Sequence, residues 1–217
     1  MNAADGQRRP ALLYIADPMC SWCWGFAPVI AALRDTYAAQ VPVRLIAGGL
    51  FPGTTEPMTS GFRSSVREHW QHVTEMTGQP FDFAFFEREQ FVYDTEPPCR
   101  ALVVARHLRP GSEFELLTRL HAAFYRDNRD ITDSDVLVPV AVEAGLDGEA
   151  FRSGLESMEA RKETLNDFAL AQELGMRGLP TLLLFDGSEI RTISEGYRPR
   201  EAVEARLRSL LDSVPAS

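Results

Sequence analysis

Two cysteines stand two residues apart in the stretch DPMCSWCWGF, residues 17–26. A close pair of thiols does one of three things. It cycles between dithiol and disulfide, it supplies half of a zinc site, or it packs inertly. Between Cys20 and Cys23 lie Ser21 and Trp22, neither of them charged, and Asp17 sits three residues upstream.

The elements around the pair narrow the choice. The run ALLYIA ends at Asp-Pro and reads as a buried strand. From Ser21 to about Ala38 apolar residues recur at helical steps, at Phe26, Val29, Ile30, Leu33 and Tyr37, with Pro28 inside the run as an expected kink or short first turn. Cys20 therefore falls where a strand hands over to a helix. There, free backbone N–H groups and the positive end of the helix dipole favour a thiolate. The nearby anion of Asp17 opposes that effect. Cys23 follows one turn later, within reach of a disulfide. The pattern predicts Cys20 as an exposed nucleophile and Cys23 as the thiol that resolves the mixed disulfide.

Zinc needs more ligands than this pair supplies. The other candidates are Cys99 and the histidines His69, His72, His107 and His121, and only His69 and His72 have a suitable spacing. The histidines otherwise read as surface or packing residues. Cys99 follows Pro97 and Pro98 in the first turn of a predicted helix, so its thiolate is favoured too, and it is a candidate third redox thiol or glutathionylation site. The plainer reading is a small buried residue, since free cysteine is among the most buried types. Trp22 is expected at the surface as an apolar landing place for substrate, and Trp24 and Phe26 in the core. The aromatic stretch FDFAFFEREQF, residues 81–91, is expected to pack helices.

VPVRLIAGG, residues 41–49, reads as a second strand, which makes the opening β-α-β with parallel strands. A loop rich in Gly, Pro, Ser and Thr follows. Helical periodicity then covers residues 60–77, 98–108, 113–126, 133–144, 147–157 and 160–174, with Gly175 as a C-terminal cap. GLPTLLLF is a strand, DGS a hairpin turn, EIRTISEG the partner strand, and residues 200–211 a final amphipathic helix. Pro180 opens its strand and cannot donate to a ladder.

Three segments carry a family resemblance: YIADPMCSWCWGF, GGLFPG and LGMRGLPTLLLF. Together with the helical block they resemble the DsbA-like branch of the thioredoxin superfamily, and within it the cytosolic FrnE-like disulfide isomerases. The resemblance implies an α/β thioredoxin-like fold interrupted by a helical insertion domain, with residues 1–52 and 175–217 forming the thioredoxin-like part and 53–174 the insertion. It carries the catalytic pair to Cys20 and Cys23 and a cis-proline to Pro180. Ser21, Trp22, Leu179 and Pro180 are the expected substrate-binding residues, with the Leu179 backbone pairing an extended substrate segment. The Ser-Trp dipeptide departs from periplasmic members, which carry Pro or His there.

The implied activity is thiol–disulfide exchange on protein or small-thiol disulfides, without metal or other cofactor, and with glutathione as a redox partner. Kappa-class glutathione transferases and 2-hydroxychromene-2-carboxylate isomerases share the split architecture, but usually carry a single Ser or Cys in place of the pair. A redox-inert peptide-binding module is a third reading. The formal net charge of −9 and the lack of a basic tract argue against nucleic acid or an anionic membrane as partner. No apolar run reaches the length of a membrane span. Arg8 and Arg9 precede an apolar stretch too short for a secretory signal, so a cytoplasmic location is expected.

Overall fold

The computed structural model describes residues 10–212, so the stretch around Arg8 and Arg9 lies outside the described residues. The four strands are β1 Ala11–Ala16, β2 Val43–Ala47, β3 Thr181–Phe185 and β4 Ile190–Glu195, in the order β2-β1-β3-β4. β1 and β2 are parallel, as a β-α-β unit requires, while β3 is antiparallel to both β1 and β4. The helices are α1 Ser21–Tyr37, α2 Ser60–Thr77, α3 Glu96–Leu108, α4 Ser112–His121, α5 Ser134–Glu143, α6 Gly148–Glu156, α7 Met158–Glu173 and α8 Arg200–Leu211.

Local chemistry sets several of these boundaries. Thr59 caps α2 by accepting from Phe62 N–H, and Gly78 ends it in the left-handed conformation at φ 72°. α1 runs through Pro28 without ending. α3 begins earlier than the periodicity predicts, at Glu96, because both prolines fit within its first turn, where their missing N–H groups have no helical partner anyway. The helix expected over residues 113–126 is not uniform. α4 stops at His121 and continues as a π-helical turn, Ala122–Arg126, closed by Asp127 N–H on the Ala122 carbonyl at 3.0 Å. Gly175, at φ 77°, ends α7 as expected.

Period-2 alternation gives the sheet two apolar faces. Leu12, Tyr14, Ala16, Leu182 and Leu184 join the main core with Phe26, Ile30 and Leu33 of α1 and Val203 and Leu207 of α8. Ile15, Ile46 and Leu183 face the other way, against Ala171 and Leu174 at the end of α7. The main core continues without a break into the helical block. Its centre there is Trp70, fully buried, with ring centroids of Phe85 and Phe86 at 4.9 Å and of Phe81 and Tyr125 at 5.1 Å. Residues 81–91 thus do pack helices, through a 3-10 turn, Phe83–Glu87.

β2 lies at one edge of the sheet. Leu12 N–H bonds the Pro42 carbonyl and Gly48 N–H bonds the Ala16 carbonyl, so Leu45 and Ala47 turn their backbone groups away from β1. Side chains meet both. Arg106 donates to the Leu45 carbonyl at 3.2 Å, and Asp167 accepts from Ala47 N–H at 3.1 Å. Arg106 and Asp167 also form a two-pronged ion pair, with both contacts at 3.1 Å, joining α3 to α7 across the strand.

Replacing Trp70 removes the ring that joins α2 to the 3-10 turn and to the end of α4. Trp70→Ala is expected to cost about 3–5 kcal/mol. Urea unfolding at equilibrium checks it, and a loss under about 1 kcal/mol would mean that the aromatic cluster does not act as a unit.

Candidate active site

Strand register places three loops at one end of the sheet. β1 ends at Ala16 and leads to Asp17–Cys20, with Ile15 opposite Thr181, the first residue of β3. Gly48 N–H on the Ala16 carbonyl brings the loop after β2 alongside. The Leu179–Pro180 peptide bond just before β3 is cis. Gly196, after β4, donates to the Pro180 carbonyl at 2.8 Å.

Cys20 is the N-cap residue of α1, and its carbonyl accepts from Cys23 and Trp24 N–H at 2.9 and 3.1 Å. Both cysteines are free thiols, and they hydrogen-bond to one another. The expectation of an exposed nucleophile needs correction. Cys20 is only 5% exposed, because the turn it ends is packed from three sides. Cys23 is fully buried, and burial, the Cys20 thiol and the Asp17 charge push its pKa up. Trp22, expected at the surface, is half-buried. Its ring meets His72 of α2 edge-on at 5.3 Å and lies 5.8 Å from the ring of Tyr197, which follows β4. Ser21 and Leu179 are half-buried as well, and Pro180 is buried. Trp24 and Phe26 are core residues, as predicted.

Asp17 organises the turn. It is fully buried. One carboxylate oxygen accepts from Met19 N–H at 2.8 Å, and the other from Leu50 N–H at 2.7 Å and the Cys99 thiol at 3.4 Å. The Thr95 hydroxyl donates to the same carboxylate and accepts from Phe51 N–H at 3.1 Å. Burial raises the Asp17 pKa, and these donors oppose the rise. The Asp17 carbonyl accepts from Cys20 N–H at 3.1 Å and from His121 at 3.3 Å. Tyr93 Oη donates to the Met19 carbonyl at 2.6 Å. Tyr93 and Thr95 went unrecognised in the sequence, and His121 was read only as a zinc candidate or a surface or packing residue; they stand 74, 78 and 104 residues away from the atoms they hold, with no motif to flag them for this role.

Cys99 is fully buried and bonded to Asp17, and burial and the Asp17 charge raise its pKa well above the usual thiol value. The helix-start argument for a favoured thiolate therefore fails, and the plainer reading of Cys99 holds. Glycines are required in the loop after β2. A Cβ on Gly48 would stand 2.8 Å from Leu179, and one on Gly49, at φ 62°, would stand 2.7 Å from the ring of Phe168.

This is a thioredoxin-like fold of the DsbA kind, a sheet with helices inserted between β2 and β3, as the resemblance implies. The family model described as Thioredoxin matches residues 13–204, and the chain belongs to that family. A solved structure from Nitrosomonas europaea, provisionally termed a protein disulfide isomerase, is 37% identical; the match covers 96% of this chain and 100% of that one, with a TM-score of 0.89. The cytosolic disulfide reductase DsbM from Pseudomonas aeruginosa is 28% identical, covering 93% and 98% with a TM-score of 0.77, and has also been solved with GSH. Among curated proteins, the ClpXP adapter protein SpxH of Halalkalibacterium halodurans is 27% identical over 187 residues, 83% of this chain and 60% of that one. The chain thus spans about 60% of the length of the curated relatives it first matches. Among the described residues no helix is long and apolar enough to cross a membrane.

Burial makes His121 a stability sensor. Its pKa is lowered from 6.5 to about 4. The unfolded chain takes up a proton below pH 6.5 that the folded one refuses until about pH 4, so stability is full above 6.5 and falls between 6.5 and 4, by about 3 kcal/mol in total. Asp17, with its pKa raised, acts in the opposite sense, so the difference between wild type and His121→Gln isolates the histidine. Urea midpoints across pH 4–7 are expected to slope less in the variant, and parallel slopes would contradict the assignment. Cys99 is expected to resist iodoacetamide at pH 8 in the folded, reduced protein and to label only on unfolding, as read by peptide mass spectrometry.

Proposed function

We propose that the protein is a cytoplasmic thiol–disulfide oxidoreductase in which Cys20 and Cys23 exchange disulfides with protein or small-thiol substrates. The observation that carries this reading is the pair itself: Cys20 as the N-cap of α1 and Cys23 buried behind it, hydrogen-bonded to Cys20. The Cys20 thiolate attacks a substrate disulfide, forming a mixed disulfide and releasing one substrate thiol. The Cys23 thiolate then attacks Cys20 Sγ, forming Cys20–Cys23 and releasing the second. The pair loses two electrons and the substrate gains them; two glutathione molecules return the pair to dithiol. The likeness to the reductase solved with GSH supports glutathione in this role. Substrate contacts are assigned to Ser21 and Trp22 beside the nucleophile and to Leu179 and Pro180 across the end of the sheet. In this reading residues 1–52 and 175–217 form the catalytic unit, and 53–174 the helical insertion that borders its groove.

A second reading follows from the adapter relatives, in which a surface of the chain delivers a partner to a protease. It does not require thiol chemistry.

A redox titration against glutathione buffers, with thiol trapping and mass spectrometry, tests the first reading. A reversible two-electron couple confined to Cys20 and Cys23 is expected. Cys20→Ser is expected to abolish insulin reduction, and Cys23→Ser to trap the mixed disulfide on non-reducing gels. Full insulin reduction by Cys20→Ser would refute the mechanism. A lone glutathione adduct on Cys20, with no internal disulfide, would favour the glutathione-transferase-like alternative. Delivery of a substrate to ClpXP by Cys20→Ser would favour the adapter.

A further inference from the structure

A groove of about 790 Å³ opens on the face of the sheet turned away from α1. Strand register builds its floor. Leu13 stands opposite Arg44 of β2 and Leu183 of β3, and Ala11 opposite Phe185, which pairs with Ile190 of β4. Alternation puts Leu13 and Phe185 on the same side as Ile15 and Leu183. α7 covers that side only towards the cysteine end of the sheet, where Ala171 and Leu174 meet Ile15, Ile46 and Leu183. At the other end Leu13 and Phe185 stay half-buried, and Leu170 and Ile190 are 40% and 47% exposed. All four line the groove. Its volume falls in the range of about 300–1,000 Å³ found for small-molecule sites, which are mostly apolar with a few placed polar groups.

Four charged side chains line this groove: Arg44 from β2, Arg106 from α3, Glu113 from α4 and Asp167 from α7. Three of them are engaged. Arg106 and Asp167 hold one another through two contacts at 3.1 Å. The Glu113 carboxylate accepts from Gly111 N–H at 2.7 Å and has the Arg34 guanidinium as a neighbour. Arg44 is exposed and, among the described residues, has no ion pair and no side-chain hydrogen bond. The groove therefore offers an aliphatic floor and one spare positive charge at its edge, on a chain whose net charge is −9.

We propose that this groove binds a long-chain carboxylate, with the alkyl chain on Leu13, Leu170, Phe185 and Ile190 and the carboxylate on the Arg44 guanidinium. A single spare cation calls for a single anionic head, and the guanidinium fork matches the two oxygens of a carboxylate. An arginine lays its stem along apolar surface and keeps its head in water, which sets the ligand's head at the mouth and its tail inside. The ligand is the free acid and not a bilayer, because the negative charge of the chain opposes approach to an anionic membrane. The site stands apart from the thiols. β1 rises about 3.3 Å per residue, so Ala11 lies about 17 Å from the strand end that leads to Cys20, and α1 packs on the opposite face. Binding therefore requires neither cysteine.

Calorimetric titration of the full chain with monomeric octanoate, decanoate and dodecanoate, below micelle formation, tests the site. One ligand per chain is expected, with affinity rising about fourfold for each added methylene. Arg44→Gln is expected to weaken decanoate about three- to fivefold and to leave decanol unchanged. Leu170→Asp sets a charge over the floor and is expected to abolish binding of both. Thermal stability and insulin reduction are expected to match wild type in both variants, so lost binding is not mistaken for lost fold. Affinity that does not change with chain length would overturn the apolar floor, and decanoate binding unaffected by Arg44→Gln would overturn the head contact. No saturable binding by wild type would overturn the proposal, and a dimer in sedimentation would then name a second copy as the occupant. Binding to vesicles of anionic phospholipid without binding of monomeric dodecanoate would overturn it as well.

Discussion

The Asp17 carboxylate is the interaction on which the rest of this molecule depends. Burying a charge costs several kcal/mol unless its oxygens are well supplied with donors. Asp17 meets that condition by drawing donors from three separate places. Met19 N–H comes from its own turn, Leu50 N–H from the loop after β2, and the Thr95 hydroxyl and Cys99 thiol from the start of α3. The turn carrying Cys20, the glycine loop and the start of α3 are thereby fixed to one another. The same charge opposes ionisation of Cys23 and Cys99. One group therefore holds the site together and tunes the thiols within it.

Much of the architecture was legible in the sequence, because periodicity is local. β1, α2 and α8 fall where their apolar spacing puts them, and the Cys20–Cys23 pair sits at the strand-to-helix junction. What was not legible depends on residues far apart in the chain. Cys99 lies 82 residues from the carboxylate it bonds, so helix position alone assigned its thiol the wrong tendency. The burial of Cys20 follows from Tyr93 and His121 closing on the turn, which no window around residue 20 contains. The π-helical turn after His121 follows from packing of Phe124 and Tyr125 against Trp70, and tertiary packing here overrides a uniform helical pattern.

The surface next to Cys20 is built from residues far apart in the chain. Trp22 is held between His72 of α2 and Tyr197 beyond β4. Any movement of the helical block against the sheet is thus felt at Trp22, one of the two residues between the cysteines. Relatives described as a reductase, an isomerase and protease adapters are built on this scaffold. A fold that carries such different roles places the burden of function on side chains at the site, not on the sheet beneath.

The ion pair of Arg106 and Asp167 has a consequence for association. By occupying the outward carbonyl of Leu45 and the outward N–H of Ala47, it obstructs the pairing of another strand along β2. The sheet's other border is β4. Filament growth by strand addition needs a donor border and an acceptor border on every subunit. With one border sealed, two molecules meeting through β4 form a terminated pair that offers nothing to a third.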